Sequence, residues 1–208
     1  MRPVKYPGSH VTLPPRLCGN IGYYLTAWQH ENYTADWHRR FDKRAKETHR
    51  FVIADTRGEL SLTVPIAKPT SSSCQWDEIE ISTHGNWWDV HRVALESAYG
   101  RTPYFEFYID RFMPMLTTGV EVRYPTLASL ARAWDMEIRK ILGLNLPSDE
   151  DHVSAETISQ PAEPEKWTEY YQVRADKLGF IPNLSILDLI FNLGPEAAVY
   201  LNSASNQM

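Results

Sequence analysis

Arg50-Phe-Val-Ile-Ala-Asp-Thr-Arg-Gly-Glu-Leu-Ser-Leu-Thr-Val-Pro-Ile66 is the stretch on which the fold class turns. Apolar and polar residues alternate over Arg50 to Ala54 and again over Leu60 to Ile66, and the Arg57-Gly58 turn between them predicts an antiparallel hairpin. Pro65 cannot donate to a ladder, which puts that part of the second strand at a sheet edge or a strand terminus. Upstream, His10 to Leu13 reads as a weak first strand and Ile21 to Trp28 as a short helix with its aromatics on one side. Residues 30 to 49 are polar and rich in His, Arg and Lys, and Glu78 to Ser82 supplies a further strand.

Helical signals fill the second half. Asn86 is a suitable N-cap for a helix to Tyr99, with Gly100 placed for a left-handed cap. Pro103 starts a second helix reaching about Met113, and a third runs from Thr126 to Leu142 with Leu127, Leu130, Trp134, Ile138 and Ile141 on one stripe. Trp87, Trp88, Phe105, Phe112, Leu130 and Trp134 are expected in the core. Residues 145 to 166 are proline-rich and acidic and form a connection. Ser185 and Asp188 have capping-box spacing, flanked by Leu184 and Leu189, so a helix begins there and ends at Gly194. Strands early and helices late predict α+β: a small, mostly antiparallel sheet packed against four or five later helices in one domain. The alternative is α/β, should His10 to Leu13 be a central parallel strand.

At 208 residues and 43% hydrophobic, the chain can enclose a core large enough to hold a buried site. A net charge of −5 argues against a nucleic-acid or anionic-membrane surface. No apolar run reaches signal-peptide or membrane-span length, so a cytoplasmic protein is expected. Cys18 and Cys74 stand 56 positions apart with no second cysteine near either, which suggests neither a disulfide framework nor zinc. No glycine-rich phosphate loop or serine elbow occurs, and no cofactor is implied.

Two segments carry a family likeness. One is Ile79 to Tyr108, in which a strand, Trp87-Trp88, His91, a helix ending in Ala98-Tyr99 and Pro103-Tyr-Phe-Glu-Phe-Tyr108 follow in order. The other is Gly179-Phe-Ile-Pro-Asn-Leu-Ser-Ile-Leu-Asp-Leu-Ile-Phe-Asn-Leu-Gly-Pro-Glu196. Together they resemble the WbqC-like family, whose members occur alongside surface-polysaccharide genes and have no settled chemistry. The resemblance implies an enzyme of surface-polysaccharide or nucleotide-sugar precursor biosynthesis, with a transferase the leading reaction type and a nucleotide sugar or other small anion as ligand. A non-catalytic binding or scaffold protein of the same pathway is the alternative.

Four residues are candidates for the site. Helical spacing sets His91 on the face of Trp87, Trp88, Ala94, Leu95 and Ala98. An imidazole there is either a neutral core group satisfied by a hydrogen bond or, as its match to the family pattern implies, the catalytic residue. Arg50 matches a family arginine and offers a planar fork for phosphate or carboxylate, though an exposed strand-flanking charge explains it too. Asn183 and Asp188 complete the binding set, with helix capping as the competing account of Asp188. His84 reads as a helix-entry residue, and without further ligands at recognisable spacing no metal site is expected. The expected site is a cleft uniting the His91 face, Arg50 and the turn around Asn183.

Overall fold

In a computed structural model of the protein, residues 5–42, 44, 45, 47–71, 73–82, 84–147, 156–161 and 163–207 are described. Strand β1 (Tyr6–Leu13) leads through helix α1 (Ile21–Gln29) into β2 (His30–Ala35). A chain that leaves one strand through a helix re-enters the sheet in the same direction, and β1 and β2 pair in parallel. The short β5 (Glu156–Thr157) joins the other edge of β1, also in parallel, so β1 is central in the order β2-β1-β5. The larger sheet is therefore parallel, which corrects the expectation of a mostly antiparallel one. His10 to Leu13 is part of the central strand, the local condition named for the α/β alternative. The predicted connection contributes β5 through its described part; residues 148–155 and 162 lie outside the described residues.

The expected hairpin forms from β3 (Arg50–Asp55) and β4 (Gly58–Thr63), antiparallel in a register running from Arg50 opposite Thr63 to Asp55 opposite Gly58. Pro65 falls just past the last paired residue, where its missing N–H costs the ladder nothing. Glu78 to Ser82 is not a strand. A 3-10 turn covers Trp76–Glu78, and Ile66 with Ile81 and Glu80 with Thr126 form only single bridges.

Helices α2 (Trp87–Tyr99), α3 (Phe105–Phe112), α4 (Val120–Arg123), α5 (Leu127–Leu142), α6 (Ala175–Leu178), α7 (Ile186–Leu193) and α8 (Glu196–Ser205) follow, giving a mixed α and β architecture. Asn86 makes no side-chain cap bond, and Gly100 is right-handed with φ −58. Gly100 is needed there for space, since a Cβ would lie 2.6 Å from the Glu96 carbonyl oxygen. For α5, Thr126 and Ser129 cap each other reciprocally, and Gly143 takes the left-handed end at φ 69.

One contiguous apolar cluster runs from Val11 to Ala204 and joins both sheets to the helices. At its centre Phe112 stacks on Trp134 with centroids 4.9 Å apart, and Phe51 of β3 tilts against the same indole. Trp87, Phe105, Phe112, Leu130 and Trp134 are buried as expected, while Trp88 is half-buried against the cluster. Among the described residues no helix is long and apolar enough to cross a membrane.

Candidate functional site

The carboxyl ends of parallel strands open onto a crevice, because the chain must turn away into connecting segments there, and such crevices are where α/β sheets bind ligands. In this protein β1 and β2 end side by side, tied by the Asp36 N–H donating to the Leu13 carbonyl at 3.0 Å. A cavity of about 520 Å³ lies at those ends. Thr12 and Thr34 border it from the strands, and Asp36, Trp37 and His38 follow from the segment after β2. Helix α5 supplies Arg132, Asp135, Met136 and Arg139, whose spacing of three, four and seven places them on one helical face.

The floor is a closed polar network. Asp135 Oδ1 accepts from the Tyr33 hydroxyl at 2.6 Å and the Tyr24 hydroxyl at 2.9 Å, while Oδ2 accepts from Arg139 Nε at 2.7 Å. Arg139 also donates to the Tyr33 carbonyl at 2.9 Å and the Asn145 carbonyl at 2.8 Å, and its guanidinium lies 3.5 Å from the Tyr33 ring centroid. Burial, and then the Asp135 charge, push the Tyr24 and Tyr33 phenols well above their ordinary range, so both remain donors. Burial by itself works against the Arg139 cation, but Tyr33 and Asp135 outweigh it and hold the guanidinium above its usual value. The Asp135–Arg139 pair thus locks α1, β2, α5 and the Asn145 segment together beneath the cavity.

The wall is less committed. The Arg132 guanidinium sits 5.1 Å from the Trp37 ring centroid and makes no hydrogen bond to a described residue. Main-chain bonds from Trp76 to Arg39 and from Asp77 to Trp37 zip the 3-10 turn to this segment. They bring Asp77 Oδ2 to 2.8 Å from His38 Nδ1, while Asp77 Oδ1 is buried without a partner. A carboxylate can only accept, so Nδ1 is the donor, and in the neutral tautomer Nε2 is the nitrogen with the lone pair. The wall therefore combines a stacked arginine with free donors, an indole face and an oriented imidazole. Among the described residues there is no group of three or more His, Cys, Asp or Glu that could hold a metal ion.

The profile of the WbqC-like protein family matches residues 21–160. The chain belongs to that family. The span of this WbqC-like chain that matches contains Trp37, His38, Asp77 and the whole polar face of α5, together with Ile79 to Tyr108, and stops short of Gly179 to Glu196. No curated protein and no solved structure matches the chain.

None of the candidates read from the sequence lines this cavity. His91 is 3% exposed, packed between Phe51 and Trp87, and donates from Nε2 to the Thr63 carbonyl at 3.2 Å. Burial pulls its imidazole down to about 4, against a smaller opposite effect of that carbonyl. Arg50 pairs with the same Thr63 across the hairpin, and its Nε is buried without a partner. Asn183 takes a positive φ of 54 and accepts from the Gly22 N–H at 2.9 Å, while Asn20 accepts from Tyr23 N–H and Leu184 from Ile21 N–H. Together these three acceptors satisfy the first N–H groups of α1.

Asp188 does not reach back to the Ser185 amide, which corrects the capping-box expectation. That amide donates to the Val52 carbonyl of β3 at 2.8 Å, and the Asp188 carboxylate instead accepts from Tyr170 at 2.5 Å and Gln172 at 3.0 Å in the interior. Ser185 still caps α7, accepting from Leu187 N–H at 3.3 Å. The three segments of the expected cleft do meet, but around the β3–β4 hairpin: the segment after Asn183 through the Ser185 main-chain bond to Val52, and His91 through its ring against Phe51 and its bond to Thr63. Cys18 is buried beside the Ser185 hydroxyl, and burial lifts its thiol to about 12, which leaves it inert.

Arg132, Asp135, Arg139, Trp37 and His38 escape a reading of the sequence. The only local signal is the α5 spacing of Arg132, Asp135 and Arg139, and an Asp and Arg four apart most often form an exposed helix pair; Trp37 and His38 carry none.

Proposed function

We propose that this protein is a cytoplasmic enzyme of surface-polysaccharide or nucleotide-sugar precursor biosynthesis, a transferase that holds its anionic sugar ligand at the carboxyl ends of β1 and β2. The observation that carries it is the Arg132 guanidinium stacked on Trp37 beside the His38–Asp77 pair. Arg132 has donors to spare for a phosphate, and Trp37 offers an apolar face to a sugar ring. His38 Nε2, oriented through Nδ1, is the group that takes the proton from an incoming hydroxyl or amine as that atom bonds to the sugar carbon and the bond from that carbon to the phosphate oxygen breaks, the nucleoside diphosphate leaving with the electron pair beside Arg132. Thr12 and Thr34 add hydroxyls for a polyol. The Asp135–Arg139 network keeps the floor rigid and takes no proton.

The test is thermal stability and calorimetric binding with a panel of nucleotide sugars. A ligand at about 100 times its dissociation constant stabilises the fold by about 2.7 kcal/mol, a readily measured rise in melting temperature. Arg132→Ala and Trp37→Ala should each weaken binding about tenfold or more, while His38→Ala keeps binding and loses turnover. Unchanged binding in Arg132→Ala would remove the site.

A binding protein without catalysis is the second reading. It is favoured by the exposure of the His38 side chain, 76%, and by the full commitment of Asp135 and Arg139 to each other and to the tyrosines. Binding with no turnover in the wild type, and none lost in His38→Ala, would decide for it.

A further inference from the structure

A cavity of about 630 Å³ shares no residue with the cleft at the strand ends. It lies where the last turn of α2 meets α6 and the β3–β4 turn, bordered by three cations, Arg101, Arg174 and Lys177, and by two carboxylates, Glu96 and Asp176. Among the described residues none of the three has a carboxylate within ion-pair distance. Glu96, which also borders the cavity, is occupied by Arg92 at 3.4 Å. Arg174 is held in place, since one terminal nitrogen donates to the Ser97 carbonyl at 2.7 Å, yet its Nε is buried and has no partner.

A carbonyl at the end of α2 explains why one cation sits here, because cations are favoured at a helix C-terminus. It does not explain three cations left unpaired around one space. Three cations against two carboxylates leave positive charge in excess around one space, and a bound anion relieves it. A fixed planar guanidinium with Arg101 and Lys177 facing the same space is the donor set that suits the tetrahedral oxygens of a phosphoryl group, and Thr56 adds a hydroxyl.

We infer that the cavity between α2, α6 and the β3–β4 turn is a second anion site that binds the phosphoryl group of a small phosphorylated molecule. It is independent of the cleft at the ends of β1 and β2, and either can be present without the other.

The experiment is titration of the full chain with inorganic pyrophosphate, followed by calorimetry and phosphorus NMR. Saturable binding is expected below about 10 mM at a site that is weakened about tenfold or more in Arg101→Ala/Lys177→Ala and that persists in Arg132→Ala. Both substituted side chains are exposed, so the double variant should fold, and a matching thermal melt checks that. Arg174→Lys, which keeps the charge but not the fork, should weaken binding as well. The inference fails if no saturation is seen, if Arg132→Ala abolishes binding while the double variant retains it, or if citrate binds as tightly as pyrophosphate at the same residues.

Discussion

Acidification provides the sharpest test of how His91 sits. The imidazole is 3% exposed, donates to the Thr63 carbonyl, and is held at about 4 against an ordinary value of 6.5. Between those two values the unfolded chain binds a proton that the folded chain refuses. The stability His91 contributes is therefore fully present above about pH 6.5 and is lost as the pH falls toward 4. The gap of 6.5 to about 4 is some 2.5 units, and at 1.36 kcal/mol per unit it amounts to roughly 3 kcal/mol of unfolding free energy. Asp188 works in the opposite sense, so the total pH dependence mixes the two. Comparison with His91→Gln isolates the histidine, because the amide can still donate to Thr63 and does not titrate. Urea unfolding from pH 4.5 to 7.5 should show the wild type losing about 2 to 3 kcal/mol relative to the variant as the pH drops. Parallel curves, agreeing within about 0.5 kcal/mol throughout, would mean that His91 ionises as it does in water and is not sealed in the core.

Arg139→Met should destabilise by about 3 kcal/mol in urea unfolding, because it leaves Asp135 without its cation; Asp135→Asn in the same chain should recover part of the loss, and no recovery would contradict the charge account. Trp134→Ala should cost about 3 to 5 kcal/mol by removing the indole stacked on Phe112, and a cost below about 1 kcal/mol would place that stripe outside the core. Burial raises the Asp188 carboxyl, with Tyr170, Tyr99 and Gln172 only partly offsetting it. Its contribution is fully present below the unfolded value of about 3.9 and is lost as the pH rises through the folded one. Wild type minus Asp188→Asn should thus fall with rising pH, and a difference that grows would refute the assignment.

The local code was legible wherever a short segment decides its own conformation. Alternation and the Arg57-Gly58 turn specify the β3–β4 hairpin without help from the rest of the chain. The α5 stripe, its Thr126 start and its Gly143 end are likewise properties of one segment, and so is the helix start at Ser185. The stretch from Ile79 to Tyr108 was enough to point to the family, whose matched span contains it.

Whatever depends on which segments meet was decided only by tertiary structure. His30-Glu-Asn-Tyr-Thr-Ala35 carries too little apolar pattern to read as a strand, and it becomes one because β1 offers it a parallel edge and Arg139 takes up the Tyr33 carbonyl. Asp188 has the spacing of a capping box, yet β3 takes the Ser185 amide first and the carboxylate turns inward to Tyr170. His91 and Arg50 stand on segments that the sequence rightly sets apart, but folding brings both to Thr63: burial makes His91 a core group that donates to the Thr63 carbonyl, and Arg50 pairs with Thr63 across the hairpin. The cleft itself joins residues 120 positions apart in the chain, from Thr12 through Trp37 to Arg132, and no periodicity within a segment encodes a pairing at that range. Local sequence fixes backbone preference and the buried face; the choice among polar partners is made by the field and geometry of groups that only folding brings near.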